Sequence, residues 1–381
     1  MGMKNKIRIL MILNRYYPII GGAENQCRIL MNNLKEYENI EIFGVVTHKY
    51  DNKLEKTTIV DDIPIFRLGL SGNTKLSVLS FYLELIIFLI NNKNKFDILH
   101  VHTISLTSFI VVLFSNIFHK KSLQKLTIAD EIKDIVNRKG IKGKIFKSLV
   151  MYGLNNGNIV ALTNEGLKEV LEYSSNQDRL YKINNGVDKS IFYNDHQIKA
   201  KCIYNFDSEY IYFGFVGRLT RTKGILYLCN EFINFMTINC NHKIKLVIMG
   251  SGHLQIDSVE NELKILSEKY NFIILLNSEH QPKNFYNAID IYISNSSKEG
   301  MPNTVLEALS CEKPCVLSNI SSHIELFNDN NDSNIMIFNN YKELYDIFLN
   351  INSSLHKSKL NNKYYISNVA TSYKKLYNEL F

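Results

Sequence analysis

The sequence contains only five prolines, no low-complexity tract and no internal repeat at a solenoid period. These absences argue against long disordered regions and against a solenoid fold. Its six cysteines include no Cys-x-x-Cys pair, so we expect free buried thiols in a reducing compartment and no cysteine metal site. The start of the chain lacks a signal-peptide pattern, because the apolar run from Ile7 to Leu13 is short and includes Arg8.

Long hydrophobic runs are also missing. The longest apolar stretch, Leu76 to Ile90, contains Glu84 and falls short of the ~20 residues that a membrane span needs, so it predicts a core helix. The hydrophobic share of 45% is typical of a globular protein, and 381 residues suffice for two domains. The net charge of +7 fits an anionic substrate or an anionic membrane surface. No zinc-finger, RNP or basic-zipper pattern occurs, so we expect no nucleic-acid partner.

Strand-like and helix-like segments alternate in two successive sets, which predicts an α/β protein with two doubly wound domains. The boundary is expected near residue 190, giving domains 1–190 and 191–363. In the first domain a buried strand precedes the paired glycines Gly21 and Gly22 and an amphipathic helix. Paired glycines let a backbone approach a phosphate closely, although a simple tight turn is the alternative. The pattern is not a dinucleotide fingerprint, because G-x-G-x-x-G is absent.

The second domain opens with a strand and a basic loop. Arg218, Arg221 and Lys223 lie between Gly217 and Gly224, where the strand ends. Ligands of open parallel sheets bind at the carboxyl ends of strands, so three cations there suggest a phosphate site. The loop does not fit the Walker pattern. The alternative is a basic loop that only meets solvent.

The segment from Ser294 to Leu309 is the most informative. A short buried strand precedes a polar turn that holds Glu299, and a helix is predicted from Thr304 with Asn303 as its N-cap. Glu307 then falls one turn inside the helix. A helix N-terminus suits an anion such as a diphosphate, and a carboxylate there can accept two hydrogen bonds from the diol of a ribose. The alternative is a strand–loop–helix unit with solvated carboxylates.

Glu299 and Glu307, with Gly300, Pro302 and Asn303 between them, resemble the donor-site motif of retaining glycosyltransferases of family four, the glycosyl transferases group 1. The Gly-Arg and Lys-Gly pairs of the basic loop are similar to a second motif of that family. The resemblance implies the GT-B fold, in which two doubly wound Rossmann-like domains face each other across a cleft. It also implies an acceptor-side first domain, a donor-binding second domain and a terminal helix, 364–381, that packs back on the first.

The resemblance implies a role for each matching residue. Arg218 and Lys223 would hold the donor diphosphate and, with Glu299, form the catalytic set. Glu307 would hold the ribose. The implied donor-binding residues are Gly21, Gly22, Gly217, Asn277, Gly300, Met301, Pro302, Asn303 and Glu307.

The implied reaction is the retaining transfer of a hexosyl group from a nucleotide-diphosphate sugar to a saccharide or polyprenyl-linked glycan, in bacterial surface polysaccharide synthesis. Fixed cations would stabilise the leaving diphosphate. The sequence has no Asp-x-Asp, so we expect a metal-independent donor site and no cofactor. The alternatives are an epimerase or phosphorylase of GT-B architecture, and a non-catalytic nucleotide-sugar-binding partner of another transferase.

Three single positions carry separate expectations. Ala129 stands where related enzymes commonly have a histidine before the acidic residue, and it motivates the non-catalytic alternative. His102 ends a predicted strand and is a candidate ligand contact, with a structural histidine as the alternative. Glu312 replaces the usual glycine, and we expect an exposed turn there without loss of chemistry.

A helix predicted from Lys139 to Leu154 interleaves Lys142, Lys144 and Lys147 with apolar side chains. Such a helix can lie on an anionic membrane surface, or it can be an ordinary helix with its lysines in solvent. We therefore expect a cytoplasmic protein that is peripheral on the inner face of the cell membrane if the first interpretation holds.

Overall fold

The computed structural model describes residues 6–19, 21–128, 130–252, 255–279, 282–330, 334–351 and 357–381. They form two compact units. Unit 1 contains Met1–Gly186 and Ile366–Phe381, and unit 2 is Val187–Tyr365. The sequence analysis put this division near residue 190. Ala129 lies outside the described residues, so the expectation attached to it has no structural counterpart.

Strands and helices are numbered along the whole chain. The strands are β1 Ile7–Ile12, β2 Ile40–His48, β3 Thr57–Val60, β4 Ile63–Leu68, β5 Ile98–Val101, β6 Lys121–Leu126, β7 Asn158–Ala161, β8 Leu180–Lys182, β9 Ile211–Arg218, β10 Ile244–Ser251, β11 Ile273–Leu276, β12 Ile291–Ser294, β13 Cys315–Ser318 and β14 Ile335–Phe338. The α-helices are α1 Gly22–Leu34, α2 Lys75–Asn92, α3 Leu106–Ile117, α4 Glu131–Val136, α5 Gly140–Asn156, α6 Asn164–Tyr173, α7 Gln197–Ile203, α8 Ile225–Ile238, α9 Glu260–Lys269, α10 Lys283–Ala288, α11 Asn303–Ser310, α12 Ser321–Asn330, α13 Tyr341–Asn350 and α14 Ile366–Leu380. Two 3₁₀ turns cover Arg221–Lys223 and Asn362–Tyr364.

Unit 1 is built on a sheet with the strand order β3-β4-β2-β1-β5-β6-β7-β8. The β3–β4 pair is antiparallel, and the other described pairs of this sheet are parallel. Successive side chains of β1 point to opposite faces, as the strand geometry requires. Ile9 and Met11 join a core with α1 and α14, whereas Leu10 and Ile12 join a core with α2 and α3. The sheet is therefore covered on both faces, which confirms the predicted doubly wound arrangement for this unit.

The last helix, α14, is an integral part of unit 1. It packs against α1 and buries Tyr373 and Tyr377 completely in the core. The Tyr377 hydroxyl lies 2.8 Å from Nδ1 of His100 on β5. The core of unit 1 thus depends on residues from both ends of the sequence.

The core position predicted for the apolar stretch Leu76 to Ile90 is wrong. The stretch does form helix α2, but α2 buries only one side, with Phe81, Leu85 and Leu89 in the core. Several of its other aliphatic side chains are exposed. Among the described residues, α2 is also the one helix that is long and apolar enough to cross a membrane, and 22% of it is buried.

The cysteine prediction needs a correction as well. All six thiols are free, as expected, but Cys202 and Cys240 are exposed rather than buried. Both lie in unit 2, in helix α7 and in the segment between α8 and β10. The remaining four thiols are buried.

Unit 2 has the strand order β11-β10-β9-β12-β13-β14, and its described strand pairs are parallel. The chain runs outward from β9 to β10 and β11 on one side, and through β12, β13 and β14 on the other. The topological switch point therefore lies between β9 and β12. Open parallel sheets bind ligands in the crevice at such a point, beyond the carboxyl ends of the strands.

Candidate active site

The two loops that the sequence singled out leave the strands on either side of this switch point. The basic loop follows β9, and the Glu299 loop follows β12. β9 and β12 are neighbours, with Phe213 paired to Ile291 and Gly214 paired to Tyr292. The fold thereby brings together two motifs that are far apart in the sequence.

Direct contacts fix the two loops to each other. Gly224 has a φ of +64°, and a Cβ there would lie 2.0 Å from the backbone oxygen of Asn295, so the position requires glycine. The side-chain amide of Asn295 donates to the Gly224 oxygen at 3.1 Å. The backbone N–H of Ser297 donates to the Thr222 oxygen at 3.0 Å. The positions of the basic and acidic side chains are thus set by backbone contacts.

Lys223 and Glu299 form an ion pair within this junction. Nζ of Lys223 lies 2.5 Å from Oε1 of Glu299, and the two side chains are 17% and 11% exposed. The Ser296 hydroxyl donates to the same oxygen at 2.7 Å. Burial works to raise the pKa of Glu299, but the charge and hydrogen bond of Lys223, aided by Ser296, outweigh it and keep that pKa below its usual value. The carboxylate is therefore ionised, and the cation beside it is fixed.

The other two cations of the loop are exposed. Arg218 ends β9 opposite Ser251 of β10, and its guanidinium donates to Gln255 at 3.3 Å. Arg221 contacts Glu262 at 3.4 Å. Arg218 is therefore exposed at the end of β9 with one long hydrogen bond, whereas Arg221 contacts α9.

Glu307 has a different environment from Glu299. Its Oε2 accepts a 2.7 Å hydrogen bond from the hydroxyl of Tyr286, which is completely buried on α10. Burial raises the pKa of Glu307 to about 7, although the Tyr286 hydrogen bond opposes this. The side chain keeps a partly exposed surface. Near neutral pH this carboxyl can therefore gain or lose a proton.

Helix α11 begins one residue earlier than predicted. Asn303 is its first helical residue, and Pro302 takes the N-cap position without a side-chain hydrogen bond. The Pro302 oxygen accepts from the N–H groups of Val305 and Leu306 at 3.0 and 3.2 Å, which starts the helical hydrogen-bond pattern at that residue. Met301 is buried beside it. The N-terminus of α11 thus lies directly after the Glu299 turn, as the diphosphate interpretation requires.

The remaining candidates lie farther along the sheet edge or in the other unit. Asn277 is exposed directly after β11 and is separated from β9 by β10. Gly217 precedes Arg218 on β9. Gly21 and Gly22 belong to unit 1, where they start α1 at the end of the β1 loop. Over the described ranges, no group of three or more His, Cys, Asp or Glu residues is arranged to hold a metal ion.

The sequence analysis missed three residues of this site. Ser296 supports Glu299, Tyr286 supports Glu307, and His323 is buried near Glu299 with Nδ1 2.8 Å from the Ser318 oxygen. Ser296 could have been found, because a serine three residues before a loop carboxylate is a common partner. Tyr286 and His323 gave no signal, because only the packing of α10 and α12 brings them there.

A known protein family matches the part of the chain that contains both loops. Residues 197–366, which include both loops, match the family model of glycosyl transferases group 1. The match to this family covers most of unit 2. The resemblance to glycosyl transferases group 1, which the two motifs indicated, is therefore confirmed.

Two of the similar proteins are glycosyltransferases of Escherichia coli, one of them named for O-antigen biosynthesis. The chain is 29% identical over 227 residues to the O-antigen biosynthesis glycosyltransferase WclY of Escherichia coli, covering 55% of this chain and 60% of that protein. It is 27% identical over 237 residues to the UDP-Gal:alpha-D-GlcNAc-diphosphoundecaprenol alpha-1,3-galactosyltransferase of Escherichia coli, covering 61% and 60%. The matched part thus spans about three fifths of these relatives.

A solved structure extends the likeness to the whole chain. Sucrose-phosphate synthase from Thermosynechococcus elongatus superposes with a TM-score of 0.79, covering 99% of both chains at 14% sequence identity. At this identity the likeness concerns the fold. The predicted GT-B fold, with two doubly wound units, is confirmed.

Proposed function

We propose that the chain is a retaining glycosyltransferase that moves a hexosyl group from a nucleotide-diphosphate sugar to a saccharide or lipid-linked glycan, in the synthesis of a bacterial surface polysaccharide. The observation that carries the proposal is the Lys223–Glu299 pair at the switch point of unit 2, directly before the N-terminus of α11. The family match over unit 2 and the relative named for O-antigen biosynthesis support the reaction class.

Each part of the site has a task in this reaction. Cleavage of the donor bond builds negative charge on the leaving diphosphate, and a preorganised cation stabilises that charge without reorganisation. Lys223 is held in place for this task by Glu299, and Arg218 supplies a second cation at the end of β9. Glu307 accepts hydrogen bonds from the ribose diol. Glu299 and the backbone from Gly300 to Asn303 hold the sugar hydroxyls.

We propose that no metal ion is needed, because the lysine and arginine side chains perform the charge stabilisation that a divalent cation would otherwise provide. The absence of Asp-x-Asp from the sequence supports this. Nucleotide binding should then be unaffected by a chelator.

The proposed acceptor is a polyprenyl-linked saccharide at the inner face of the cell membrane. The second relative, whose own name includes diphosphoundecaprenol, supports this class of acceptor. The switch point of unit 1 lies between β1 and β5, which is the ligand edge of that sheet. The acceptor would bind at that edge.

The test uses the purified chain with UDP- and GDP-sugars and a polyprenyl-diphosphate saccharide, with product followed by mass spectrometry and its anomeric configuration by NMR. Arg218→Ala should lower transfer by at least about tenfold, because one cation on the leaving group is lost. Arg221→Ala is the matched control, since it removes an exposed arginine of the same loop that faces Glu262.

Three outcomes separate the proposal from its alternatives. An α-configured product from an α-configured donor supports a retaining transferase. Nucleotide-sugar binding without turnover on any acceptor would favour the non-catalytic partner that Ala129 motivates. Release of nucleotide in the absence of acceptor, with a changed sugar, would favour an epimerase.

A further inference from the structure

Helix α2 carries a stripe of exposed aliphatic side chains that the fold of unit 1 does not use. Leu76 is 64% exposed, and Leu83 and Ile87 are each 57% exposed. The stripe repeats every three or four residues, so its members lie on one side of the helix. The stripe consists of Leu76, Leu79, Leu83, Ile86, Ile87 and Ile90.

The opposite side of α2 holds the helix on the sheet. Phe81, Leu85 and Leu89 are at most 3% exposed and belong to the core beneath the helix. The Glu84 carboxylate accepts a 2.9 Å hydrogen bond from the N–H of Gly69, in the loop after β4. Removing α2 to let it cross a bilayer would expose that core. The stripe must therefore meet a partner while α2 lies flat on unit 1.

The exposed aliphatic surface continues over the neighbouring helices. At one end, the Lys93 ammonium lies 5.0 Å from the ring centre of Phe118, directly after α3. On its other side α3 packs against α5, where the Phe109 and Tyr152 rings meet edge-on at 5.7 Å. α3 and α5 add four exposed aliphatic side chains, Leu113, Ile117, Ile141 and Ile145. We call the outer surface of α2, α3 and α5 the lipid face.

The three segments that form and flank the lipid face are strongly basic. Ten lysines and arginines lie in residues 75–95, 106–121 and 138–156. These segments contain a single acid, Glu84, whose carboxylate accepts the hydrogen bond from Gly69. The chain as a whole has 44 basic and 37 acidic residues, so its net positive charge comes from these segments. The ten cations are Lys75, Lys93, Lys95, Lys120, Lys121, Arg138, Lys139, Lys142, Lys144 and Lys147.

We propose that the lipid face docks on a bilayer that contains anionic phospholipids, with the α2 stripe in the acyl–headgroup boundary and the surrounding lysines on the headgroups. Exposed aliphatic side chains combined with lysines are the features that hold a helix in the plane of a membrane interface. A second copy of the chain fits less well, because a two-fold interface would bring the same cationic surface against itself. The anionic bilayer supplies the opposite charge.

The test measures flotation with vesicles of phosphatidylcholine alone and of phosphatidylcholine with phosphatidylglycerol in equal amounts. Wild-type protein should bind the anionic vesicles, and added salt should weaken this binding. The variant Leu79→Gln/Leu83→Gln/Ile87→Gln should lower the partition coefficient by at least about tenfold, because apolar area no longer leaves water. The matched control is Ile198→Gln/Ile238→Gln/Ile265→Gln, which changes three isoleucines of unit 2 that are at least as exposed.

A single fluorescent probe identifies the surface that enters the lipid. The chain has no tryptophan, so Leu83→Trp and Ile238→Trp each provide one unambiguous signal. Both positions are exposed, and equal melting temperatures would show that the variants fold. Anionic vesicles should shift the emission of the first variant to the blue and leave the second unchanged.

The proposal is overturned if wild-type protein does not bind anionic vesicles, or if the stripe variant binds them as well as wild type. It is also overturned if sedimentation shows a dimer that the stripe variant dissociates while vesicle binding is absent, because the face would then join two copies. The measurement uses neither donor nor acceptor. A failure here therefore leaves the proposed transfer reaction untouched, and a failure of transfer leaves this result untouched.

Discussion

The ion pair of unit 2 and the titratable groups near the switch point of unit 1 lie in opposite environments. In unit 2 the edge between β9 and β12 presents a fixed ion pair, Lys223 with Glu299, beside an exposed arginine. In unit 1 the edge between β1 and β5 buries its polar groups. His102 is stacked on His100 with ring centres 4.3 Å apart, and Glu131 accepts the N–H groups of Ile104 and Thr127 at 3.2 Å each.

The difference also governs the protonation of these groups. Burial lowers the pKa of His100 and of His102 and raises that of Glu131 to about 7, so unit 1 favours neutral side chains. In unit 2 the charge of Lys223 keeps the pKa of Glu299 low. A diphosphate needs fixed charge, whatever the acceptor. Under the proposed function, we infer that the donor meets fixed charge in unit 2 and that the acceptor meets neutral hydrogen-bonding groups in unit 1.

The largest expected effect breaks the ion pair of unit 2. Lys223→Ala should weaken UDP or GDP binding by about a hundredfold, because it removes a diphosphate cation and leaves the Glu299 carboxylate unpaired at the site. Calorimetry measures the affinity, with Arg221→Ala as control. The double variant Lys223→Ala/Glu299→Gln should recover thermal stability but not affinity. An affinity within twofold of wild type would contradict the assignment of the donor site.

Glu307 should make nucleotide affinity depend on pH, by up to about tenfold per pH unit. Its pKa is raised to about 7 by burial, and only the ionised carboxylate accepts both ribose hydroxyls. Nucleotide affinity should therefore rise with pH up to about 7 and then level off. Calorimetry across this range checks the curve. Glu307→Gln, which keeps an acceptor for Tyr286, should bind weakly with no such slope; an unchanged slope would mean that another group titrates.

Glu131 offers the matching test in unit 1, with stability as the readout. Its pKa in the folded state, about 7, lies above the ordinary value of 4.5, so the folded state holds a proton that the unfolded state has lost. The contribution of Glu131 to the free energy of unfolding is therefore greatest below pH 4.5. It falls by about 2 to 3 kcal/mol as the pH rises toward 7. Urea unfolding of wild type and Glu131→Gln at both ends of this range measures the difference. Hydrogen bonds lost in Glu131→Gln lower its free energy of unfolding equally at both pH values. If wild type and variant differ by the same amount at both, the burial effect on Glu131 is refuted.

The smallest effect concerns Glu312, which has a φ of +58°. Glycine relieves that backbone conformation, but Glu312→Gly loses the 2.8 Å hydrogen bond from Asn194 and an exposed ion pair with Lys357. Glycine also increases the conformational entropy of the unfolded chain, which lowers stability. The net change in the free energy of unfolding should therefore stay within about 1 kcal/mol. Thermal unfolding measures it, and nucleotide affinity should not change. A larger loss would mean that the Asn194 contact anchors the start of unit 2.

The donor-side motifs were predictable because their spacing is local. Glu299, Glu307 and the glycines between the cations stand in short segments, and the alternation of strands and helices fixed their place at the strand ends. Tyr286 was not predictable, because its contact with Glu307 depends on the packing of α10 against α11. The same holds for His323 of α12, which lies near Glu299 and contacts Ser318.

Helix α2 shows a different limit of sequence patterns. Leu83 and Leu85 have the same side chain, yet Leu83 is 57% exposed and Leu85 is fully buried. A helix that is apolar all round is normally buried, so its hydrophobicity predicted the core. Only the sheet beneath it decides which side is covered. The exposed side then becomes visible as a surface that needs a partner.

Helix α14 has a consequence for the order in which the protein can mature. Tyr373 and Tyr377 complete the core of unit 1 around Cys27 and Leu30, but they are translated after the whole of unit 2. Domains generally fold as their sequence emerges from the ribosome. Unit 1 is therefore begun first, but its core is completed only after the last helix has been synthesised.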